Sequence, residues 1–411
     1  MRRPLTCGRA AGMIVAALGL WIAVPAAAQE WGVDARLTVL ASAIDEESLI
    51  APAADGPLAS ASLVVSRSDT FENGLVLTWR VEGRLERDAA ARPSFAGVLG
   101  ACPPANPLCP RAASGAGFVS PVSPVTGLAA AGAAIDRGGS ATLEGASVSL
   151  YGPWGEGVLG LDAGAAARLD ARPPTVLQRA SAFTPGLDAT GLVTSRARND
   201  VTGSSLKAMY RTPRWLGFQL GASYAPEADH RTADFDPAFG GPGLGGAELE
   251  DVWEAAASFA RQFADQGVRL RTAVTFTGAS SNSPLSGFGD HEAWGAGLEL
   301  ERGSWTGGVR WLSSNNAWDS GAGDYEALEA GLVHQSGQWR IGIEGGWSED
   351  RLTGTEGASW LVGASRTIND NLDLGFGWAS AEADLPVLIG PSRSRRNASN
   401  GGLVLELTVR N

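Results

Sequence analysis

Few residues in this chain could carry reaction chemistry. The sequence contains three histidines, His230, His291 and His334. His291-Glu292 is not followed by a second histidine four residues on, so the metalloprotease pattern H-E-x-x-H fails. No G-x-S-x-G is present. His334 has the parity to reach the outer face of a strand, but it lies beside a short turn, a poor place for a Ser-His hydrolase. Gly241-Pro-Gly243-Leu-Gly245-Gly246 matches G-x-G-x-x-G, yet a dinucleotide site needs a strand before it and a helix after it. This match sits in a Pro/Gly-rich loop. Asp229, Asp234 and Asp236 lack the spacing of a calcium loop and read as a solvated acidic loop. Asn397-Ala-Ser399 is an isolated sequon. The expectation is therefore no catalytic site, no metal site and no cofactor.

A different constellation stands out. Arg36, Arg80, Arg84, Lys207, Arg269, Arg271, Arg310 and Arg340 each have the parity of the face opposite the apolar one. So do Glu82, Glu299, Glu329, Glu344, Asp373 and Glu406. Any one of these alone reads as a solvated wall residue. Together they put a charge on the same face of strand after strand, which suits the lining of a water-filled lumen.

The elements that must position these charges are strands. In Glu30–Ser42, Val33, Ala35, Leu37 and Val39 alternate with Asp34, Arg36 and Thr38, a period of two. Leu75–Glu86 repeats the pattern, as do segments around Val268–Phe276, Trp305–Trp311, Trp339–Trp347, Leu372–Trp378 and Leu403–Val409. Glu248–Phe263 is Ala-rich and fits a strand or an amphipathic helix. Seven short turns, at 70–74, 152–157, 212–215, 264–267, 301–303, 335–337 and 369–371, take turns with eight longer loops. Those loops run over roughly 43–58, 88–140, 169–200, 225–248, 279–289, 314–323, 349–356 and 382–399. Fifteen connections imply sixteen strands. An even strand number, with short turns at one end and long loops at the other, is the pattern of a transmembrane β-barrel. The expected fold is thus all-β, a sixteen-stranded antiparallel barrel with short periplasmic turns and long outer loops.

Composition agrees. The chain has 411 residues, 44% hydrophobic and only 18% charged, with 55 Gly, 22 Pro and a net charge of −12. An acidic balance argues against a nucleic-acid partner. A mean hydropathy of −0.02 excludes a bundle of transmembrane helices. Fourteen Trp stand against four Tyr, and Trp31, Trp215, Trp253, Trp305, Trp339, Trp347 and Trp378 fall near strand ends, where indoles favour the bilayer interface.

The N-terminus reads as an export signal. Arg2, Arg3 and Arg9 precede an apolar stretch, Ala10–Val24, and then Pro25-Ala-Ala-Ala28, a small-residue cleavage site. Residues 1–28 are expected to be a cleaved signal peptide, with 29–411 forming a single barrel domain. Removing three arginines leaves 29 − 44 = −15. The first strand begins right after the signal, so no plug domain is expected ahead of it. Cys102 and Cys109, seven apart in a Pro-rich loop of an exported chain, are expected to form a disulfide.

Residues 146–213 resemble the family of Gram-negative trimeric porins. Ala146-Ser-Val-Ser-Leu-Tyr-Gly-Pro-Trp-Gly-Glu-Gly-Val-Leu-Gly160 is similar to that family's fourth strand, Gly-aromatic-Gly turn and fifth strand. Arg198-Asn199, Lys207-Ala-Met-Tyr210-Arg-Thr-Pro213 and Gly217-Phe218 resemble its Arg-x-x-Asn-x-x-x-Tyr-x-x-Pro-x-x-x-Gly-Phe stretch, and Gly221-Ala-Ser-Tyr224-Ala-Pro226 its seventh strand. The chain departs from the family in three ways. Thr184-Pro-Gly-Leu-Asp188 stands where enterobacterial members carry Pro-Glu-Phe-Gly-Gly. The last residue is Asn411, not Phe. The second loop is longer than usual.

The resemblance implies an outer-membrane homotrimer, in contact with outer-membrane lipid, that passes ions and small hydrophilic solutes passively, without catalysis. It implies a third loop, about 169–200, folded into the lumen as the constriction. Arg36, Arg80 and Arg84 would face Asp170 and Asp188 there, beside the loop's own Arg172, Arg179, Arg196 and Arg198. Glu82, Lys207, Arg269, Arg271, Arg310 and Arg340 would line the rest of the pore. The loop's cations outnumber its acids, so the expected selectivity is weak in spite of the acidic total. Leu159, Leu161, Ala163, Ala165 and Ala167 read as a flat outer face of the fifth strand, suited to packing on a neighbour. One alternative is a structural or adhesive barrel with little transport, for which charge on every inner face would be unnecessary. Another, a soluble secreted β-protein, would lack the alternation of short turns and long loops.

Overall fold

The computed structural model describes residues 31–46, 53–54, 56–88, 120–127, 139–183, 185–228, 244–245, 247–283, 287–319, 321–389 and 392–411. The signal segment and Cys102–Cys109 lie outside these residues.

Sixteen antiparallel strands close into one barrel. They are β1 (Gly32–Glu46), β2 (Leu58–Thr70), β3 (Val76–Arg87), β4 (Ser140–Gly152), β5 (Gly155–Leu161), β6 (Leu206–Arg211), β7 (Phe218–Glu227) and β8 (Glu248–Phe263). β9 (Val268–Asn282), β10 (His291–Arg302), β11 (Trp305–Ser314), β12 (Tyr325–Ser336), β13 (Trp339–Asp350), β14 (Thr355–Asn369), β15 (Leu372–Ile389) and β16 (Ser392–Arg410) follow. β1 pairs with β16 from Arg36↔Arg410 to Glu46↔Asn400, which closes the cylinder and leaves no sheet edge. The Ala-rich segment is strand β8, its backbone paired on both sides by β7 and β9. No described helix is long and apolar enough to cross a membrane.

The period-two pattern turns one face outward and one inward. On β3, Trp79, Val81 and Leu85 are about half exposed on the outside, while Arg80, Glu82, Arg84 and Glu86 point into the barrel. An exposed apolar wall of this kind is stable only against lipid.

All seven short turns form where expected. The long loops differ in one respect. After β13 only residues 351–354 intervene, and β15 and β16 stay paired out to Ile389↔Ser392. Polar runs there read as loops, but two neighbouring strands can satisfy each other's backbone well beyond the bilayer. Part of the second loop crosses the wide end. Ser120–Pro121 pairs in parallel with Leu244–Gly245 of the loop before β8. Ser123 Oγ then donates to Asn316 Oδ1 at 2.8 Å, and Thr126 Oγ1 to Asp350 Oδ2 at 3.0 Å, on the far wall.

The fifth strand is shorter than its apolar pattern suggests. It ends at Leu161, and α1 (Ala165–Leu169) turns inward with Ala165, Ala166 and Ala167 buried. The proposed outer face therefore keeps Leu159 and Leu161 and loses Ala163, Ala165 and Ala167. Small residues suit a helix pressed on a wall as well as they suit a strand, and periodicity over so short a run does not separate the two.

Candidate functional site

Residues 162–205, between β5 and β6, do not project from the barrel end but fold into its interior. Two sequence features make this possible. The first is a track of glycines on the inner face. A methyl group at Gly297 of β10 would overlap the Ala171 carbonyl, and one at Gly331 of β12 the Pro174 carbonyl. At Gly308 of β11 it would come within 2.9 Å of Pro173 Cα. With no side chains there, the loop backbone lies directly on the wall. That answers for part of the chain's high glycine content.

The second feature is a set of inward glutamates that accept the loop's orphaned backbone N–H groups. Glu406 of β16 accepts from Gln178 N at 2.7 Å, Arg179 N at 2.8 Å and Ala180 N at 2.8 Å. Glu344 of β13 accepts from Val176 N and Ala182 N, both at 2.9 Å. Glu254 of β8 takes Ala166 N at 3.1 Å and the Thr202 hydroxyl at 2.5 Å. Glu329 of β12 takes Ala197 N at 2.7 Å. Irregular backbone inside a barrel must find partners for its amides, and carboxylates are the strongest acceptors a wall can offer. These four glutamates thus fasten the loop rather than face open water; all are buried.

Between the loop and the wall of β3 and β4 lies a cavity of about 580 Å³. Seven arginines line it: Arg80 and Arg84 from β3, Arg310 from β11, and Arg172, Arg179, Arg196 and Arg198 from the loop. Four acids line it as well: Glu82, Glu144, Asp162 and Asp200. Arg80 pairs with Glu82 at 2.6 Å, and Arg84 lies 3.9 Å from Glu144. Arg196 and Arg198 share Asp200, at 2.9 and 3.1 Å. Arg179 reaches Glu86 at 2.9 Å. Arg310 is held between Asp170, at 2.7 Å, and Glu329. The Arg172 guanidinium, half-exposed to the cavity, has its pKa lowered first by the neighbouring Arg198, then by partial desolvation and by Arg310.

Of the residues singled out in the sequence, the structure brings Arg80, Glu82, Arg84, Arg196, Arg198 and Arg310 to this passage. Asp170 lies behind it, committed to Arg310 and 3.8 Å from Arg172. Asp188 does not face the passage. It is buried, and its carboxylate accepts from Thr190 N, Thr190 Oγ1 and Val193 N, shaping the loop tip. Arg36 sits near the short-turn end, opposite Arg410. Arg269, Arg271 and Arg340 also lie toward that end, the first two beside Glu301 and Glu299. Lys207 is buried, donating to Thr202 Oγ1 and the Gly203 carbonyl, both at 2.8 Å, and so ties down the end of the loop.

Glu144 and Asp162 were not marked by the sequence pattern. Glu144 sits at a register shift between β3 and β4 that resets its parity, and Asp162 just past the end of β5. Glu254 was hidden by the ambiguity of its own segment.

A family model described as Gram-negative porin matches residues 15–384. Solved structures share the fold at low identity. An anion-selective porin from Comamonas acidovorans is 12% identical with a TM-score of 0.54, over 93% of this chain and 99% of that one. OmpF of Salmonella typhi, in complex with daunomycin, is 11% identical with a TM-score of 0.55, over 92% and 97%. OmpT of Vibrio cholerae, folded in vitro, is 9% identical with a TM-score of 0.51, over 93% and 97%. No curated protein matches the sequence.

Proposed function

The chain belongs to the Gram-negative porin family, and from that premise we propose that its passive route runs through the cavity between the third loop and β3–β4, with a weak preference for anions. The protein is an outer-membrane channel for passive diffusion of ions and small hydrophilic solutes. Family and fold point to a channel rather than an enzyme.

The observation that carries the finer reading is the balance of charge around the passage, seven arginines against four acids. Potential in a narrow water-filled channel is focused between low-dielectric walls, so charges at the waist outweigh those spread over the surface. Most of the arginines are neutralised by a carboxylate at salt-bridge distance, which keeps the preference weak. The constriction arginines are Arg80, Arg84, Arg196 and Arg198, joined by Arg172, Arg179 and Arg310. Asp170 acts behind them by holding Arg310, and Asp188 by shaping the loop tip. Arg36, Arg269, Arg271 and Arg340 belong to the vestibule on the short-turn side. Single-channel recording in a KCl gradient tests the reading: the reversal potential should lie modestly on the chloride side, and a clear potassium preference would overturn it.

Two further elements of the reading rest on family membership and sequence. The working unit is a homotrimer, for which crosslinking that yields only monomers would be fatal. Residues 1–28 are a signal peptide, for which N-terminal sequencing of the mature protein should start at Gln29.

A further inference from the structure

The positive charge of the passage is not evenly compensated. On the loop and β11 side, Arg172, Arg196, Arg198 and Arg310 face three carboxylates, Asp170, Asp200 and Glu329, each already engaged. Asp170 takes the short contact from Arg310. Asp200 is shared by Arg196 and Arg198. Glu329 holds both Arg310 and Ala197 N. Arg172 is left with a 3.8 Å approach to Asp170 and a single 3.3 Å hydrogen bond to the Ala167 carbonyl, and its side chain is 53% exposed toward the cavity. Arg198 Nε is buried and makes no hydrogen bond, its approach to Asp200 being poorly aligned. Both side chains line the cavity, and among the described residues no hydrogen bond engages Arg198 Nη1 or Nη2, so two guanidinium groups turn donors toward one water-filled space, with one positive charge in excess.

We propose that Arg172 and Arg198 form a seat for a small oxyanion, a phosphate or a carboxylate, inside the passage. A guanidinium offers paired N–H donors that match two oxygens of such a group. Chloride, with no such geometry, passes without dwelling. An oxyanion dwells, so its flux saturates and it obstructs chloride while seated. This inference rests on the reading of the cavity as the conducting route.

The test uses the full-length protein in planar bilayers. Chloride current is recorded in KCl while inorganic phosphate is added, and succinate in a parallel series. A saturating decrease in current with phosphate, with succinate or with both is expected, and identifies which chemistry the seat takes. Arg172→Gln and Arg198→Gln should each raise the half-blocking concentration about tenfold or more, as loss of one charge-assisted bidentate contact implies. Arg172→Lys keeps the charge but not the fork, so it should raise the half-blocking concentration, though less than Arg172→Gln does. If neither anion blocks a parent channel that prefers chloride, the seat is refuted and the route stands. If the parent shows no chloride preference, the reading of the route fails. Equal block in the parent and in all three variants also overturns the seat.

Discussion

Replacing Glu406 by Gln should loosen the third loop without disturbing the barrel. The carboxylate sits on the inner face of β16 and receives three consecutive backbone N–H groups, from Gln178, Arg179 and Ala180, at 2.7–2.8 Å. A glutamine keeps one oxygen, which can still serve Arg179 and Ala180, now without a charge. Its amide nitrogen then meets the Gln178 N–H donor to donor. Losing the charge on two bonds costs about 1 kcal/mol each, and stranding one buried N–H costs about 1–3 kcal/mol, so the total is about 3–5 kcal/mol. Because each 1.4 kcal/mol is tenfold, the population with this stretch detached should rise by about two to four orders of magnitude. Glu344 and the Arg179–Glu86 contact still hold the flanks, so the loop should open in bursts rather than leave. Single-channel recording should show frequent excursions to a higher conductance level, absent from the parent. Asp373→Asn, on the neighbouring β15 where the side chain meets Arg410 at 3.2 Å near the short-turn end, is the control and should stay quiet. A Glu406→Gln channel as quiet as the parent, with the same conductance, would mean that the glycine track and not the carboxylates holds the loop.

Arg80→Ser with Arg84→Ser removes the cation beside Glu82 and the one 3.9 Å from Glu144. It should raise conductance and move the reversal potential toward cations, and an unchanged potential would exclude β3 from the constriction. Gly331→Val drives a side chain into the Pro174 carbonyl and should cost about 1–3 kcal/mol of loop docking, seen as heterogeneous conductance levels in a barrel that still folds. Arg172 stays charged through neutral pH even with its pKa lowered, so the chloride preference should hold from pH 6 to 8, and a preference lost within that range would exclude Arg172 as its source. Cys102 and Cys109 should be oxidised in the mature protein, contributing on the order of 2–3 kcal/mol to one outer loop, and free thiols in unreduced denatured protein would exclude it.

The barrel was legible because its signal repeats. β3 alternates over ten or more residues and β16 over Leu403–Val409, and a one-residue slip would put Arg80 or Glu406 into lipid, so parity alone decides which face they occupy. The waist was legible in part. Arg80, Arg84 and Arg310 sit on such strands and fall where parity sends them. The third loop has no period, and its residues are placed either within its own tip, as Asp188 is by Val193 N, or by the wall, as Ala197 is by Glu329, 132 positions away. For the same reason the charge pattern shows that Glu344 and Glu406 point inward but not what they meet. A lumen-facing glutamate in open water and one that holds three backbone amides look identical until the loop is in place.

That distinction bears on selectivity. The chain carries −12 overall, and a count of inward side chains would assign much acid to the pore. Yet Glu254, Glu329, Glu344 and Glu406 spend their charge on the loop's backbone and on Arg310 and are buried away from the passage. Backbone amides are neutral, so fastening the loop with them consumes acid without adding cations. The arginines carried in by the same loop remain at the surface of the waist. A wall that anchors its constriction through buried carboxylates thus withdraws negative charge from the route it narrows. On the proposed route, an acidic barrel with a cationic waist follows from how the loop is held.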